Sequence, residues 1–429
     1  MKWIPVALLL VAVLSSARAQ TNALTLADAK QLAFERNWDL LATKSSVDAA
    51  TAQLIVVKEF PNPYLTLSSA KIGERNAGTI MGNGIWQRNY DSIAAVSQLI
   101  ESGGKRRDRQ LAARAGVLSS KARFYDAKRI LDQGVTKAYL AALLAGENAR
   151  NLSQSAGFMR QEATIAEQQH AAGDLSEADM KTIEINAEQF EFQAKQAEAT
   201  ALQARISVEI LLGVTKPRGE WTPGDSLENL AVASETVSAS ELLANEQRPD
   251  VVAAESDLRA AEANLKLQKA GRIPDPTFFV GVEHNPPGGG PDENTFNIGV
   301  SFPLLIWNQN GGNIKAARAA ADQSRIALEQ LKAQAAADYA TACSEYAEAS
   351  ARCRMYRDQT VPKSAKVRGT IEFKYEKGAA TLIDLLNAEQ TDNTVRLALD
   401  QAMNDTTAAA ADLKAASTTL SESQLRAEP

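Results

Sequence analysis

Two short runs in the second half of the chain alternate apolar and polar residues at period two, in a sequence whose remaining pattern is helical. In one, Phe278, Val280 and Val282 take one side and Thr277, Gly281 and Glu283 the other. In the next, Phe296, Ile298, Val300 and Phe302 oppose Thr295, Asn297, Gly299 and Ser301. This predicts a hairpin over about 276–304 with one apolar face, its loop filled by Pro286, Pro287, Pro291 and a run of glycines. A weaker alternation over 64–71 and 88–99 predicts a second hairpin, about 62–99, around a loop holding Gly73, Gly78, Gly82 and Gly84. Strands of about 10 residues cross an outer membrane when tilted. Four cannot close a barrel, and lipid does not tolerate open sheet edges, so inserted hairpins require several copies sharing one barrel. The alternative is a pair of soluble hairpins packed on helices, for which the sequence offers no other apolar core to cover Phe296–Phe302.

The pattern around these hairpins occurs twice. Asn37-Trp38-Asp39-Leu40 is echoed by Arg248-Pro249-Asp250-Val251, and Pro61-Asn62-Pro63-Tyr64 by Pro274-Asp275-Pro276-Thr277. Ser102-Gly103-Gly104-Lys105 is echoed by Asn310-Gly311-Gly312-Asn313, and Gly173-Asp174-Leu175 with Asp179 by Gly378-Ala379-Ala380 with Asp384. The near-constant offset predicts an internal duplication of helix, strand pair, long helix, tip turn and return helix. Its boundaries are repeat 1 at about 20–213, a linking segment at about 214–240 and repeat 2 at about 241–420, with helix tips near 173 and 378. The first repeat opens with a helix starting between Thr25 and Asp28 and a second over about 38–60, stopped by Pro61. After Arg106 the pattern is helical to Ala172, a reach on the order of 100 Å if unbroken.

In the return helix, Ile183, Ala187, Phe190, Ala194, Ala197, Ala201, Ala204, Val208 and Leu211 are spaced 4-3-4-3, a coiled-coil seam. One amphipathic helix on a globular core is the alternative. A second seam follows through Ile314, Ala317, Ala321, Ser324, Leu328, Leu331 and Ala335. The fold class is therefore mainly α with a small β part, long coiled-coil helices plus four strands per chain, in a single elongated unit over 20–429.

At the N-terminus, Lys2, the apolar run Ile4–Leu14 and Ala17-Arg18-Ala19 read in order as a secretory signal peptide over 1–19. The run is too short to span a bilayer. Without Lys2 and Arg18 the formal charge of −6 becomes −8, which argues against nucleic acid as a partner. Cys343 and Cys353 lie ten residues apart on one helix, about 15 Å of rise, too far for a disulfide.

The element order, the paired Pro-x-Pro approaches to the strands and Ser97-Gln98-Leu99-Ile100-Glu101-Ser102-Gly103-Gly104-Lys105-Arg106 resemble the TolC family of outer-membrane efflux ducts, and most closely its heavy-metal, CzcC-like branch. Arg272-Ile273-Pro274-Asp275-Pro276 and Asn285-Pro286-Pro287-Gly288-Gly289-Gly290 add to the likeness, which covers essentially the whole mature chain. The resemblance implies a homotrimer forming a 12-stranded barrel in outer-membrane lipid. It also implies a helical tube in the periplasm whose tips meet an adaptor protein, and through it an inner-membrane resistance-nodulation-division pump. The cargo it implies is divalent metal cations; a drug-efflux or type I secretion duct and a soluble periplasmic scaffold are the alternatives.

Gly378–Leu386 is similar to the family's tip motif, which implies a periplasmic gate at Asp384, with Asn387 where some members carry a second acid and Asp179 at the equivalent position of the first tip. Asp384 equally suits the first turn of a helix starting at Thr381, and the two roles are compatible. Gly173, Leu175, Gly378 and Leu382 are candidate adaptor contacts. Gly103, Gly104, Gly311 and Gly312 are candidate strand-to-helix turns with positive φ. Phe278, Val280, Val282, Phe296, Ile298, Val300 and Phe302 are candidate lipid contacts. Lys105, Arg106 and Arg107 read either as a barrel rim meeting headgroups or as a solvated helix start. No catalytic grouping, cofactor site or metal site is expected: His170 with Glu167 supplies too few ligands, and His284 stands elsewhere.

Overall fold

A computed structural model describes residues 23–70, 91–234, 247–285 and 294–426. The signal segment, the loops between the paired strands and most of the linking segment's C-terminal end lie outside them. In the first half the order is β1 (Ala23–Leu24), α1 (Leu26–Arg36), α2 (Trp38–Val56), β2 (Tyr64–Ala70), β3 (Asp91–Leu99), α3 (Lys105–Ala172) and α4 (Glu177–Leu211). Then come β4 (Thr222–Pro223), α5 (Leu227–Ser234), α6 (Pro249–Ala270), β5 (Thr277–His284), β6 (Asn294–Ser301) and α7 (Gly311–Met355). A π-helical turn (Tyr356–Thr360), α8 (Val361–Glu376), α9 (Leu382–Ser417) and α10 (Glu422–Arg426) complete it.

Two compact units interleave in sequence. One takes Met1–Asn37, Leu131–Ser238 and Ser344–Asp412; the other takes Trp38–Ile130, Ala239–Cys343 and Leu413–Pro429.

The first unit is built on Tyr139, which is fully buried with Val135, Leu140, Val208, Cys353 and Ala402 around it. Its ring stacks on Trp221 at 5.7 Å, and its hydroxyl donates to the Leu24 carbonyl at 2.7 Å and to Asp225 at 3.1 Å. Asp225 also accepts from the Leu26 N–H at 2.7 Å, so one tyrosine and one aspartate hold the parallel β1–β4 pairing in place. Along α4, Ile183, Ala187, Ala194, Ala201 and Val208 are buried, whereas Phe190, Ala197, Ala204 and Leu211 are half-buried. The stretch leading to Gly378 is not one helix: the Val361 N–H donates to Tyr356, five residues back, in a π-helical turn just before Pro362, which has no N–H to give.

In the second unit, Val251, Leu328 and Ala335 form one cluster, and Ala122, Ala253 and Leu420 another. The α7 seam continues past the counted positions at seven-residue steps through Ala342 to Ala349, the last in the first unit. Arg248, its side chain only 3% exposed, is held by both oxygens of Asp250 at 2.8 and 2.7 Å and by Asp338 at 3.0 Å. Neither Cys343 nor Cys353 forms a disulfide.

Three expectations need correcting. Helix α2 ends at Val56 rather than near Phe60. Its final N–H groups close tight turns, Lys58 to Ile55 and Glu59 to Val56, while Phe60 lies under the Arg106 guanidinium at 3.8 Å. Gly311 and Gly312 do not carry positive φ. They open α7, and Asn310 adopts φ 60, held there by its side-chain amide on the Gln268 carbonyl at 2.7 Å. Phe302 is not on the strand: β6 stops at Ser301, and Pro303 brings no N–H to a ladder.

Candidate functional sites on the sheet and at the helix tips

The four longer strands form one antiparallel sheet in the order β2-β3-β5-β6. Register places Leu65 opposite Val96, Val96 opposite Val280, and Val280 opposite Ile298. One residue pair further along, Leu67, Ala94, Val282 and Phe296 form a second apolar row. With Phe278 opposite Val300, all the apolar positions predicted within β5 and β6 share a single face that continues across the first hairpin. The face is bare: Ile298 is 88% exposed, Phe296 82% and Leu67 71%. Leu65, Leu67, Ala94 and Val96 were not singled out from sequence, although Leu65 and Leu67 alternate with Tyr64, Thr66 and Ser68. The opposite face carries Thr66, Ser68, Ser97, Gly281, Glu283, Asn297, Gly299 and Ser301, and also the apolar Ile93, Leu99 and Phe279, which have no place in a simple alternation. Strands β2 and β6 close the order, so among the described residues each has one side without a partner strand.

Below the sheet, the two halves of the sequence are latched. Gly103 and Gly104 take φ 67 and 78, and a side chain on Gly103 would meet Ile273 at 2.9 Å. The turn brings the Ser102 N–H to Asp275 at 2.7 Å and its hydroxyl to the Pro274 carbonyl at 2.8 Å, while Lys105 reaches Asp275 at 2.9 Å. Burial alone raises the Asp275 carboxyl, but the hydrogen bonds from Lys105 and Ser102 outweigh it and hold the group below its ordinary range. Lys105 and Arg106 are thus internal brackets, Arg106 also donating to the Lys58 carbonyl, and only Arg107 stands out in solvent.

The two tips are built alike. At the first, Gly173 takes φ 84; its N–H returns to His170 and that of Asp174 to Gln169, both at 2.9 Å. At the second, Gly378 takes φ 70, with the same pair of bonds to Tyr375 and Lys374 at 2.9 and 2.8 Å. Three residues later a hydroxyl caps the return helix. Asp179 N–H donates to Ser176 at 3.1 Å while the Ser176 hydroxyl donates to the Asp179 carboxylate at 2.7 Å. Asp384 and Thr381 repeat this at 3.2 and 2.6 Å, and the Thr381 N–H adds a bond at 3.0 Å. The Thr381 hydroxyl and N–H hold the exposed Asp384 carboxyl below its usual range. Leu175 is half-buried, its carbonyl 2.9 Å from His170 Nδ1, which gives that histidine a place in the turn. Leu382 is the first residue of α9. Asn387 is exposed on the wall of a cleft of about 270 Å³ that it shares with Phe158, Met159, Asn186, Phe190 and Leu386. Among the described residues, no three His, Cys, Asp or Glu side chains are grouped to hold a metal ion.

Between the tip and the Tyr139 core lies a charged lattice that sequence did not reveal. Asp392 accepts from Ser364 and Arg396, both at 2.8 Å, and Arg368 bridges Glu389 at 3.2 Å. Asp400 is pushed up to about 6 by burial and by Glu147, against hydrogen bonding from Asn151 at 2.9 Å. An acid raised in the fold costs stability when charged, so the cost is full above about pH 6 and fades as pH falls towards its ordinary value of 3.8. Asp400→Asn is therefore expected to stabilise the protein by about 1–2 kcal/mol at pH 8, after allowance for solvent, and by almost nothing at pH 4. Thermal unfolding at the two pH values measures this, and an equal gain at both excludes the titration.

The fold is similar to those of solved outer-membrane channels. It matches a solved membrane protein from Pseudomonas aeruginosa with a TM-score of 0.75 at 20% identity, over 92% of each chain. It matches a CusC structure, solved in a study of transmembrane channel formation, at 0.73 and 17% identity over 94% of this chain and 95% of that one. In sequence, residues 29–214 and 242–419 both match the outer membrane efflux protein family, and the chain belongs to that family, the TolC family. Among its relatives, the cobalt-zinc-cadmium resistance protein CzcC of Cupriavidus metallidurans is 23% identical over 376 residues, 87% of this chain and 85% of that one.

Proposed function

We propose that the protein is the outer-membrane duct of a tripartite efflux system and that its cargo is divalent heavy-metal cations. The observation that carries this is the bare apolar face that crosses four strands whose outer edges, β2 and β6, have no partner strand among the described residues. Lipid covers such a face, and three copies joining β6 to β2 give a 12-stranded barrel without edges. The twofold recurrence of element order, with tips built on the same turn and cap, supports an internal duplication. On this reading residues 1–19 direct export, the helices form the periplasmic part, and Gly173, Leu175, Gly378 and Leu382 meet an adaptor that connects to a resistance-nodulation-division pump. The chain itself performs no chemistry. The name of the relative CzcC supports cobalt, zinc or cadmium as cargo.

Deleting the gene is expected to leave cells more sensitive to those ions, with the protein recovered as a trimer from the outer-membrane fraction. Recovery in the soluble periplasm without detergent ends the duct reading, and unchanged metal sensitivity ends the choice of cargo.

For the gate, Asp384, Asp179 and Asn387 line the periplasmic mouth in three copies, where carboxylates attract cations. Because Asp384 also caps α9, the informative change is Asp384→Asn, which keeps an acceptor for Thr381 and removes the charge. Block of single-channel current by multivalent cations added on the periplasmic side is expected to weaken several-fold. Unaltered block removes Asp384 from the gate.

A further inference from the structure

On the polar face of the sheet one row stands apart. Tyr64, Ser97, Phe279 and Gly299 are directly opposite one another on β2, β3, β5 and β6, two aromatic residues alternating with two very small ones. Phe279 leans over Gly299: a Cβ built on that glycine would fall 2.5 Å from the ring's Cζ and 2.7 Å from a neighbouring ring carbon, distances no real side chain reaches. An upright ring carries its tip away from the sheet, whereas this one rests on the neighbouring backbone. At 36% it is less exposed than Phe278 at 51% or Phe296 at 82% on the other face. Gly281, two residues along and on the same side, is buried against Ala95, so small residues flank the ring on its own strand as well as on β6.

We infer that Gly299 is a positioning residue for the bore of the duct: its missing side chain lets Phe279 lie flat on the wall instead of standing in the lumen. The inference rests on the duct reading, in which this face lines the barrel. Gly299 φ is not in the left-handed region, so backbone conformation does not demand glycine there, and the close approach of the ring does. A side chain at 299 turns Phe279 off the sheet, and three rings per trimer then narrow the bore at one level.

The test is the size of the outer vestibule, read in planar bilayers by adding poly(ethylene glycol) of graded mass to the extracellular side alone and finding the largest polymer that still lowers the current. One-sided addition makes the reading independent of a narrower periplasmic end. Gly299→Val is expected to lower that cut-off mass by about half or more. Phe279→Ala alone leaves it nearly unchanged, because the native ring does not obstruct, and Phe279→Ala combined with Gly299→Val restores it. The double variant also removes the clash, so it folds even where Gly299→Val gives a poor yield. A double variant with a narrowed bore, a Phe279→Ala single variant with a clearly wider one, or a native cut-off in Gly299→Val each overturns the inference while leaving the duct intact. Absence of any current from the native protein overturns both.

Discussion

Ile298→Arg is expected to prevent recovery of the protein from the outer membrane. Ile298 is 88% exposed at the centre of the apolar face, opposite Val280, which is in turn opposite Val96. A cationic side chain on the lipid face of a barrel costs about 2–4 kcal/mol at the bilayer midplane, and the proposed trimer carries the change three times, roughly 6–12 kcal/mol in all. That is comparable with the whole net stability of a folded protein, about 5–15 kcal/mol. Asn297→Arg is the matched control: it sits next in sequence on the opposite face, hydrogen bonded to Glu283 at 3.2 Å, where a cation finds a carboxylate and water. The two variants are compared by detergent-extractable trimer in the outer-membrane fraction. Equal recovery refutes the assignment of Phe278, Val280, Val282, Phe296, Ile298 and Val300 to lipid.

The second large effect is Tyr139→Ala. The side chain is fully buried, stacks on Trp221 and satisfies both the Leu24 carbonyl and Asp225. Truncating a buried aromatic costs about 3–5 kcal/mol through lost burial and the cavity left behind. Tyr139→Phe keeps the packing and removes only the hydroxyl, for about 1–2 kcal/mol, since the partners become unsatisfied. Calorimetry of the purified protein in detergent separates the two. If Tyr139→Phe costs as much as Tyr139→Ala, the β1–β4 attachment rather than packing dominates this core.

Much of the architecture is local and therefore readable. Glycine followed three residues later by Ser176 or Thr381, and three after that by aspartate, marks a helix stop and restart, because αL geometry and a side-chain cap are properties of adjacent residues. The seven-residue steps of alanine on α4 and α7, and the period-two apolar positions on β5 and β6, follow from helix and strand geometry alone. Where local rules competed, sequence reading went astray. Gly311 and Gly312 looked like the positive-φ pair by analogy with Gly103 and Gly104, yet Asn310, anchored on Gln268, took that role. Lys105 and Arg106 read from sequence as a barrel rim or a solvated helix start because their partners, Asp275 and Lys58, are far away in the chain.

Sequence alone determined where the long helices run and turn back, and that one face of the second hairpin is apolar, since each depends on residues within a turn or two of one another. Only the tertiary structure decided that β3 pairs with β5 to fuse the two hairpins into one face, that Asp275 latches the Ser102 turn, that Asp400 is half-buried beside Glu147, and that Phe279 lies over Gly299. The reason is physical: pairing register, burial and the charge environment of a side chain are set by neighbours brought in from distant parts of the chain, and local preference carries no record of them.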